Sequence, residues 1–545
     1  VVVREEQTAT YEASEPGVPD FNPRGCQKGA CYTEVMYGPS RLYSPMKRVG
    51  ERGEGKWQKI SWDQAIDEIG TKIVEISEKY GSASIVHDMG PHFDYGPTTA
   101  ARCRFFGMLG ASLPDDWAEI GDLNLGATLT FGFPHVGGSS DEWFLSDYLV
   151  VWMMNPAVTQ MPDAHFLFEA KYQGATLTVI DPQYSATTTH ADHWLPIEAG
   201  TDAALALYVS RYIWENGHMD VAYVKEQTDL PMLVRLDSGR FLTERDVIAE
   251  GRPNALYYWD ENAKKAVIAH GSEGDTHRTR LVLEDGADPA IEGVFEVMGA
   301  DGKPVHVTTV GSLLKEQLEQ YTLERTIELT KLSKAHILQF AKGFATAKRP
   351  MILSSWGSNR YFHSDLMNRS KILCLALRGA IGKRGAGYHS TGWVGLDGFG
   401  IVGTLEEPGV SSVVKLLYKL MGFDGLFNMS IDLITKRKTM QEFHREISFA
   451  ALAKGDSCTT NSASLNYNNQ GIKDDLNREQ ANLGYPQSLD SYVQEAQKKG
   501  WMPVHNEGNV KAWFTGGNNV LRRTNMPQRM LEKMWPGMEL IVDIN

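Results

Sequence analysis

Missing from these 545 residues is any run of about eighteen apolar residues, so no helix of the chain is expected to cross a bilayer. Basic blocks are missing as well. The net charge is −14 and the longest basic run is Lys436-Arg-Lys438, which argues against nucleic acid or an anionic membrane as partner and makes Arg102, Arg104 and Arg360 local charges. Cysteine is scarce: five, at 26, 31, 103, 374 and 458, are too scattered for a disulfide framework, and the four residues between Cys26 and Cys31 do not fit a CxxC pair. Cys103 and Cys374 are expected to be buried in helices. There is no initiator Met or signal peptide before Val1-Val-Val, and Leu540-Ile-Val-Asp-Ile-Asn545 reads as a buried strand entering its loop, so the chain is expected to be a fragment of a longer polypeptide.

What is present points to alternating helices and strands. At 42% hydrophobic content a chain of this length can bury several cores, and two to four domains are expected. Residues 1 to 60 are loop-rich. Ser61-Trp-Asp-Gln64 is a capping box opening a helix to about Lys79, with Ile66, Ile69, Ile73 and Ile76 on its buried face. Strand signals follow at Ser84–His87, Tyr148–Trp152 and Thr176–Ile180, separated by helices at Thr98–Leu109 and Asp163–Tyr172. That alternation predicts an α/β fold with parallel sheets covered on both faces, whose ligands sit beyond the carboxyl ends of the strands. The rule singles out Pro91-His-Phe-Asp-Tyr95, Asn155 and Asp181. The βαβ unit from Tyr148 to Pro182 lacks GxGxxG, but Asp181 ends its last strand, where an acid can accept hydrogen bonds from a ribose.

Between 225 and 310 glycines separate short β-like runs, which read as an inserted β-rich arm without a site of its own. Helices resume at Gly311–Gln320 and Ala335–Lys348, and a buried strand Pro350–Ser355 runs into Trp356-Gly-Ser-Asn359. The helix Ser364–Arg378 and the turn Gly382-Lys-Arg-Gly-Ala-Gly387 follow. Gly-rich turns beside strands and helix ends are good diphosphate cradles, because bare amides can face the anion. Residues 400 to 501 are assigned only a surface or funnel-lining role. Val510–Asn519 is again a strand running into a glycine turn, at Gly517 and Asn518.

The organising stretch is Trp117-Ala-Glu-Ile-Gly-Asp122-Leu-Asn-Leu-Gly126 with the loop Phe131–Gly138, where glycines at 121, 126, 132, 137 and 138 permit tight turns and close approach to a ligand. Asp122, among apolar neighbours, needs a partner, or else caps a helix or turn. Asp122 does not stand alone. Asn22-Pro-Arg-Gly-Cys26-Gln-Lys-Gly-Ala30, Ser44 to Trp57, Ile60-Ser-Trp-Asp63, Met161-Pro-Asp-Ala-His-Phe166 and Gly200-Thr-Asp-Ala-Ala204 occur with it in order. This set closely resembles the catalytic subunits of the dimethyl sulfoxide reductase family of molybdenum enzymes. The likeness is to the branch of respiratory nitrate, selenate, chlorate and perchlorate reductases, dimethylsulfide dehydrogenase and ethylbenzene dehydrogenase, which binds molybdenum through aspartate.

The resemblance implies a multidomain molybdopterin-oxidoreductase fold with Rossmann-like parallel sheets. It implies a partial iron–sulfur domain (1–60), an α/β domain around the molybdenum (61–150 and 390–545) and a dinucleotide-binding α/β domain (151–389) containing the 225–310 arm. A C-terminal β-barrel domain is expected to lie beyond this chain. The implied cofactors are molybdenum, two molybdopterin guanine dinucleotides and one 4Fe-4S cluster. Asp122 matches the molybdenum ligand, a hard carboxylate suiting an oxophilic ion. Cys26 matches one cluster ligand and Lys28 a basic residue between cluster and pterin. Asn155, Asp181 and Asp202 match the guanosine end of one dinucleotide. Trp356, Gly357, Ser358, His363, Gly382, Gly385, Gly517 and Asn518 lie in or beside turns matching dinucleotide contacts.

His92 and Asp94, with Tyr95, are placed to deliver protons or are ordinary turn polars. Arg360 orients an oxyanion or contacts a cofactor phosphate. The expected function is the molybdenum subunit of a periplasmic respiratory complex, exported through a twin-arginine signal, acting on nitrate, selenate, chlorate or dimethylsulfide with an iron–sulfur beta subunit and a haem b gamma subunit. A hydrocarbon or sterol hydroxylase of the ethylbenzene type and a truncated, non-catalytic pterin-binding module are the alternatives.

Overall fold

Strands form where apolar residues run unbroken, because a strand covered on both faces has no solvent side to keep polar. In the computed structural model the residues described are 12–21, 27–88, 101–102, 105–106, 108–112, 124–132, 136–272, 283, 285–390, 474, 477–478, 487–499, 510–516, 519–523 and 527–544. The chain divides into two compact units, Val1–Met36 with Asn124–Gly392 and Tyr37–Leu123 with Trp393–Asn545. The divisions expected from the sequence fall after 60, 150 and 389.

The first unit is built on a five-stranded, all-parallel sheet: β1 Tyr148–Trp152, β2 Thr176–Ile180, β3 His193–Leu195, β4 Pro350–Ser354 and β5 Gly387–His389, in the spatial order β5-β4-β1-β2-β3. β1 and β4 are buried at every residue. Successive side chains point to opposite faces, and they feed two separate cores. Tyr148, Val150, Trp152 and Ile352 enter one with Leu205, Phe340 and Leu375; Leu149, Val151, Met351 and Leu353 enter the other with Phe166 and Leu167. The helices that matter are α1 Leu125–Phe131, α2 Ala164–Tyr172, α3 Asp202–Glu215, α4 Lys334–Thr346 and α5 Ser364–Leu377. α5 packs on both α3 and α1. The early segment belongs to this unit too: Val18 is buried in the second core, and Phe21 stands edge-on to Phe166 at 4.9 Å.

The arm is β-rich. Leu233–Arg235, Pro304–Thr309 and Val294–Met298 form an antiparallel sheet, and Tyr257–Asp260 pairs with Lys265–Ile268.

In the second unit Leu540–Ile544, Ala512–Gly516 and Ile85–Asp88 form a parallel sheet in that order. The helix Trp62–Tyr80 lays Ile73 and Ile76 against Ile85 and Phe514. Three expectations are corrected in this unit. Only half of the capping box forms: Ser61 Oγ accepts from Gln64 N at 3.1 Å, while the Gln64 amide goes to Glu68 instead. Ile66 is exposed, since only the later turns of the helix reach the sheet. Leu540–Ile544, expected to be buried, has no fully buried residue and pairs on one side only among the described residues. No helix among the described residues is long and apolar enough to cross a membrane.

Several residues singled out in the sequence lie outside the described ones: the opening Val1 run, Cys26, the Pro91–Tyr95 loop with His92 and Asp94, Asp122, half of 98–109 and most of 400–501, Gly517 and Asn518, and the side chain of Lys28.

Candidate functional site

From β1 the chain winds outward through β2 and β3, then returns to the other side of β1 as β4. Parallel sheets that reverse direction this way open a crevice outside the carboxyl ends of the two central strands. In this sheet the crevice lies between the ends of β1 and β4, where Trp152 and Ser354 are paired in register. The backbone there is strained: Met153, directly after β1, has φ 56°, a left-handed conformation that side chains with a Cβ seldom adopt.

Asp202, the first residue of α3, is 1% exposed. Its Oδ1 accepts a hydrogen bond from Trp152 Nε1 at 2.7 Å, and its buried Oδ2 has no partner among the described residues. Asp181 follows β2, and its Oδ1 accepts from Gln183 N at 2.8 Å. Burial raises the Asp181 pKa above the usual carboxylate range; the Gln183 bond opposes this and the Asp202 charge adds to it. Tyr361 stands against the same two carboxylates, its pKa raised by burial and then by Asp202 and Asp181. A Cβ on Gly200 would be 3.5 Å from the Tyr361 ring. Asn155 comes after β1, but its Oδ1 is taken by Thr187 N and Oγ1, at 3.2 and 2.7 Å, tying the loop after β2 back to β1. The carboxyl edge thus gathers Asn155, Asp181, Asp202 and the turn Trp356–Arg360 that follows β4.

The remaining dinucleotide residues divide. Within that turn Ser358 is fully buried, its hydroxyl donating to Ser355 O at 2.8 Å and lying 3.2 Å from Ser354 Oγ and Asn368 Oδ1; it locks the turn and cannot reach a ligand. Gly357 and Arg360 are exposed and Trp356 half-buried. His363 precedes α5 with φ 55°, exposed, and its ring lies against that of Phe362 rather than against the acidic pair. Gly382 and Gly385 are at the wrong edge. α5 carries the chain back to the amino ends of the strands, so the turn before β5 cannot share a ligand with the Trp356 turn. Its glycines have structural reasons: both have positive φ, and a Cβ on Gly385 would stand 2.7 Å from Leu145 Cβ. Arg384 in the same turn pairs with Glu15 at 2.7 Å.

The glycines after Asp122 are also reassigned. Gly126 lies inside α1, where a Cβ would meet Asn368 Cβ and Asp365 O of α5, each at 2.7 Å. Gly132 is the left-handed cap ending α1, and Gly137 is packed against His389. α1 is capped by Asn124, whose Oδ1 accepts from Ala127 N at 3.0 Å.

Two groups are not foreseen from the sequence. Lys371 on α5 is fully buried beside Trp152, signalled only by its place on a helical face with Met367 and Leu375. In the second unit His87 is buried at the end of Ile85–Asp88, stacked on Phe106 at 4.2 Å with neither ring nitrogen bonded among the described residues; burial and then the Arg102 charge depress its pKa to about 3.

Comparison with known proteins agrees with this architecture. Residues 41–530 match the family described as molybdopterin oxidoreductase. The chain is 36% identical to the dimethylsulfide dehydrogenase subunit alpha of Rhodovulum sulfidophilum, covering 100% of this chain and 55% of that protein. It is 35% identical to the chlorate reductase subunit alpha of Ideonella dechloratans, covering 100% of this chain and 54% of that protein. It is 32% identical to the perchlorate reductase subunit alpha of Dechloromonas aromatica, covering 100% of this chain and 56% of that protein. The chain therefore spans about half the length of the curated relatives it matches. Acetylene hydratase from Pelobacter acetylenicus shares the fold, with a TM-score of 0.52 at 18% identity over 97% of this chain and 56% of that one.

Proposed function

This chain belongs to the molybdopterin oxidoreductase family, and we propose that it forms the cofactor-holding part of the catalytic alpha subunit of a molybdenum oxidoreductase of anaerobic respiration. The observation that carries the reading is the switch-point crevice, where Asp202 presents a buried oxygen with no donor among the described residues, beside Asp181. These residues fit the guanosine end of a molybdopterin guanine dinucleotide. A guanine carries a pair of adjacent N–H donors and its ribose two hydroxyls, and carboxylates accept both. The turn Trp356–Arg360 on the same edge, with Gly357 and Arg360 exposed, suits the diphosphate, which favours a phosphate-contacting role for Arg360 over direct substrate binding.

Asp122 is assigned as the molybdenum ligand. That the following helix is capped by Asn124 supports this, since the capping work there is already done. Cys26 is assigned as one ligand of a 4Fe-4S cluster, with Lys28 between cluster and pterin, and His92 and Asp94 as proton carriers. When bound, the molybdenum and its two dinucleotides supply two-electron oxygen-atom transfer. The chain's residues bind the guanosine ends, exclude water from Asp202 and hold protons near the substrate. The substrate class is an oxyanion such as nitrate, selenate or chlorate, or dimethylsulfide, in a periplasmic assembly with an iron–sulfur beta subunit and a haem b gamma subunit. The names of the relatives support that ranking over a hydrocarbon hydroxylase.

Metal analysis of the protein, with nucleotide release by acid, should find about one molybdenum and about two guanine nucleotides per chain. Finding neither overturns the reading. A panel of these substrates with viologen or ferrocenium as electron partner ranks the activities, and turnover only with an alkylbenzene or a sterol side chain reverses the ranking.

A further inference from the structure

The crevice is rich in acceptors and short of donors. Asp202 Oδ2 and the Asp181 carboxylate stand at the carboxyl edge, while hydroxyl and indole donors around them are already spent. Trp152 Nε1 donates to Asp202 Oδ1, Thr201 Oγ1 to Glu198 O and Thr187 Oγ1 to Asn155 Oδ1, each at 2.7 Å, and Ser358 Oγ donates to Ser355 O at 2.8 Å. Tyr361 differs from all four. Its hydroxyl makes no hydrogen bond among the described residues.

The backbone holds this tyrosine against the two carboxylates. Tyr361 ends the Trp356–Arg360 turn, and its carbonyl accepts from Ser364 N, the first residue of α5, at 3.1 Å. The ring lies along Gly200, two residues before Asp202, where a Cβ would be 3.5 Å from Cδ1 and 3.8 Å from Cε1. Gly200 has φ 84°, a conformation that glycine takes without strain, so the turn into α3 passes close beside the ring. The phenol is half-buried. Burial, then the Asp202 and Asp181 charges, raise its pKa, and the hydroxyl keeps its proton through the neutral range.

We propose that Tyr361 is the base-reading donor of the crevice, its hydroxyl donating to O6 of the guanine whose N–H groups Asp202 accepts. The inference rests on the guanosine reading given above. The pairing edge of guanine carries the donors N1–H and N2–H and, directly beside N1, the acceptor O6. Carboxylates satisfy the two donors and leave O6 facing negative charge, and a buried acceptor without a donor costs binding. O6 adjoins N1, so its donor must stand next to Asp202. A tyrosine hydroxyl can supply that proton. Acceptor beside donor also matches guanine and not adenine, which would turn a bare N1 toward Asp202 and has no 2-amino group.

The test is titration calorimetry of the full chain, freed of cofactor, with GMP, IMP and 6-thio-GMP at neutral pH. IMP keeps N1–H and O6 and lacks the 2-amino group; 6-thio-GMP keeps both N–H groups and carries sulfur, a weak acceptor, in place of O6. Tyr361→Phe removes the hydroxyl and keeps the ring on Gly200. Its affinity for GMP and for IMP should fall about fivefold, the worth of one neutral hydrogen bond, while its affinity for 6-thio-GMP should change by less than about twofold. The comparison is made among nucleotides within one variant, so a change in stability or in the shape of the turn would act on all three alike. Equal losses for the three nucleotides, or no loss, overturn the inference and leave the guanosine reading in place. Wild-type protein that binds GMP and 6-thio-GMP equally well overturns it without recourse to the variant. Wild-type protein that binds none of the three overturns the guanosine reading and this inference with it.

Discussion

Replacing Gly126 by alanine isolates the contact that sets α1 against α5. The added methyl would stand 2.7 Å from Asn368 Cβ, 2.7 Å from Asp365 O and 3.2 Å from Arg369 N. Carbon atoms in contact prefer about 3.5–4.0 Å, so the helices must part by roughly an ångström, and two of the three obstacles are backbone. Overpacking of this kind costs about 3 kcal/mol at the upper end of its usual range, and the better helix propensity of alanine returns about 1 kcal/mol. The net expectation is a loss of about 2 kcal/mol, or a melting shift of about 3 °C for a unit of this size. Differential scanning calorimetry of the full chain measures it. Gly132→Ala is the comparison, because position 132 has φ 76° and open space around its Cβ, leaving only backbone strain of about 1 kcal/mol. Since Asn368 donates to Asn359 Oδ1 in the Trp356–Arg360 turn, Gly126→Ala should also weaken GMP binding, whereas Gly132→Ala should not. A Gly126→Ala protein as stable as wild type would show that the helices do not cross this closely.

Asp122→Ala in the intact protein should retain its guanine nucleotides but lose turnover, with an altered first shell at the molybdenum X-ray absorption edge; Asp122→Asn with near-normal activity would instead make Asp122 a turn residue. Cys26 is the sole cysteine matched to a cluster ligand, so this chain expressed alone should give no stoichiometric four-iron signal by iron analysis and electron paramagnetic resonance. His389 is buried and its pKa depressed to about 4, against an ordinary 6.5, by burial. The unfolded chain therefore takes up the proton first: the contribution is whole above about pH 6.5 and falls by about 3 kcal/mol in total as pH drops toward 4. His389→Gln should flatten that part of the stability profile measured in urea, and an unchanged slope would refute the assignment.

Strand positions are legible because burial on both faces leaves an unbroken apolar run: Tyr148–Trp152 and Thr176–Ile180 agree with the sequence reading residue for residue. The edge rule then locates Asn155 and Asp181, because the carboxyl end of a strand is a position in the sequence as well as in space. Other assignments fail for identifiable reasons. Gly382 and Gly385 look like a phosphate cradle, yet one helix after β4 reverses the chain's direction and puts them at the opposite edge. Gly126 resembles a turn glycine because nothing local reveals that another helix presses on it. Ser358 sits in the right turn and is spent inside it. Lys371 is hidden because a lysine in an amphipathic helix normally faces water; its spacing from Met367 is the available signal.

The pairing of Ile85–Asp88 with Ala512–Gly516 spans more than four hundred residues of sequence, and this sets an order on the ribosome. At translation rates of about 5–20 residues per second, the first strand waits roughly 20–80 s for its neighbour. Meanwhile the five-stranded sheet, whose last strand ends at His389, has emerged in full and can close. Ile73, Ile76 and Ile85 must be shielded throughout that interval by something other than their final partners. The nascent chain is thus exposed to aggregation for the whole of that interval, which makes its yield a matter of chaperone supply and elongation speed as much as of final stability.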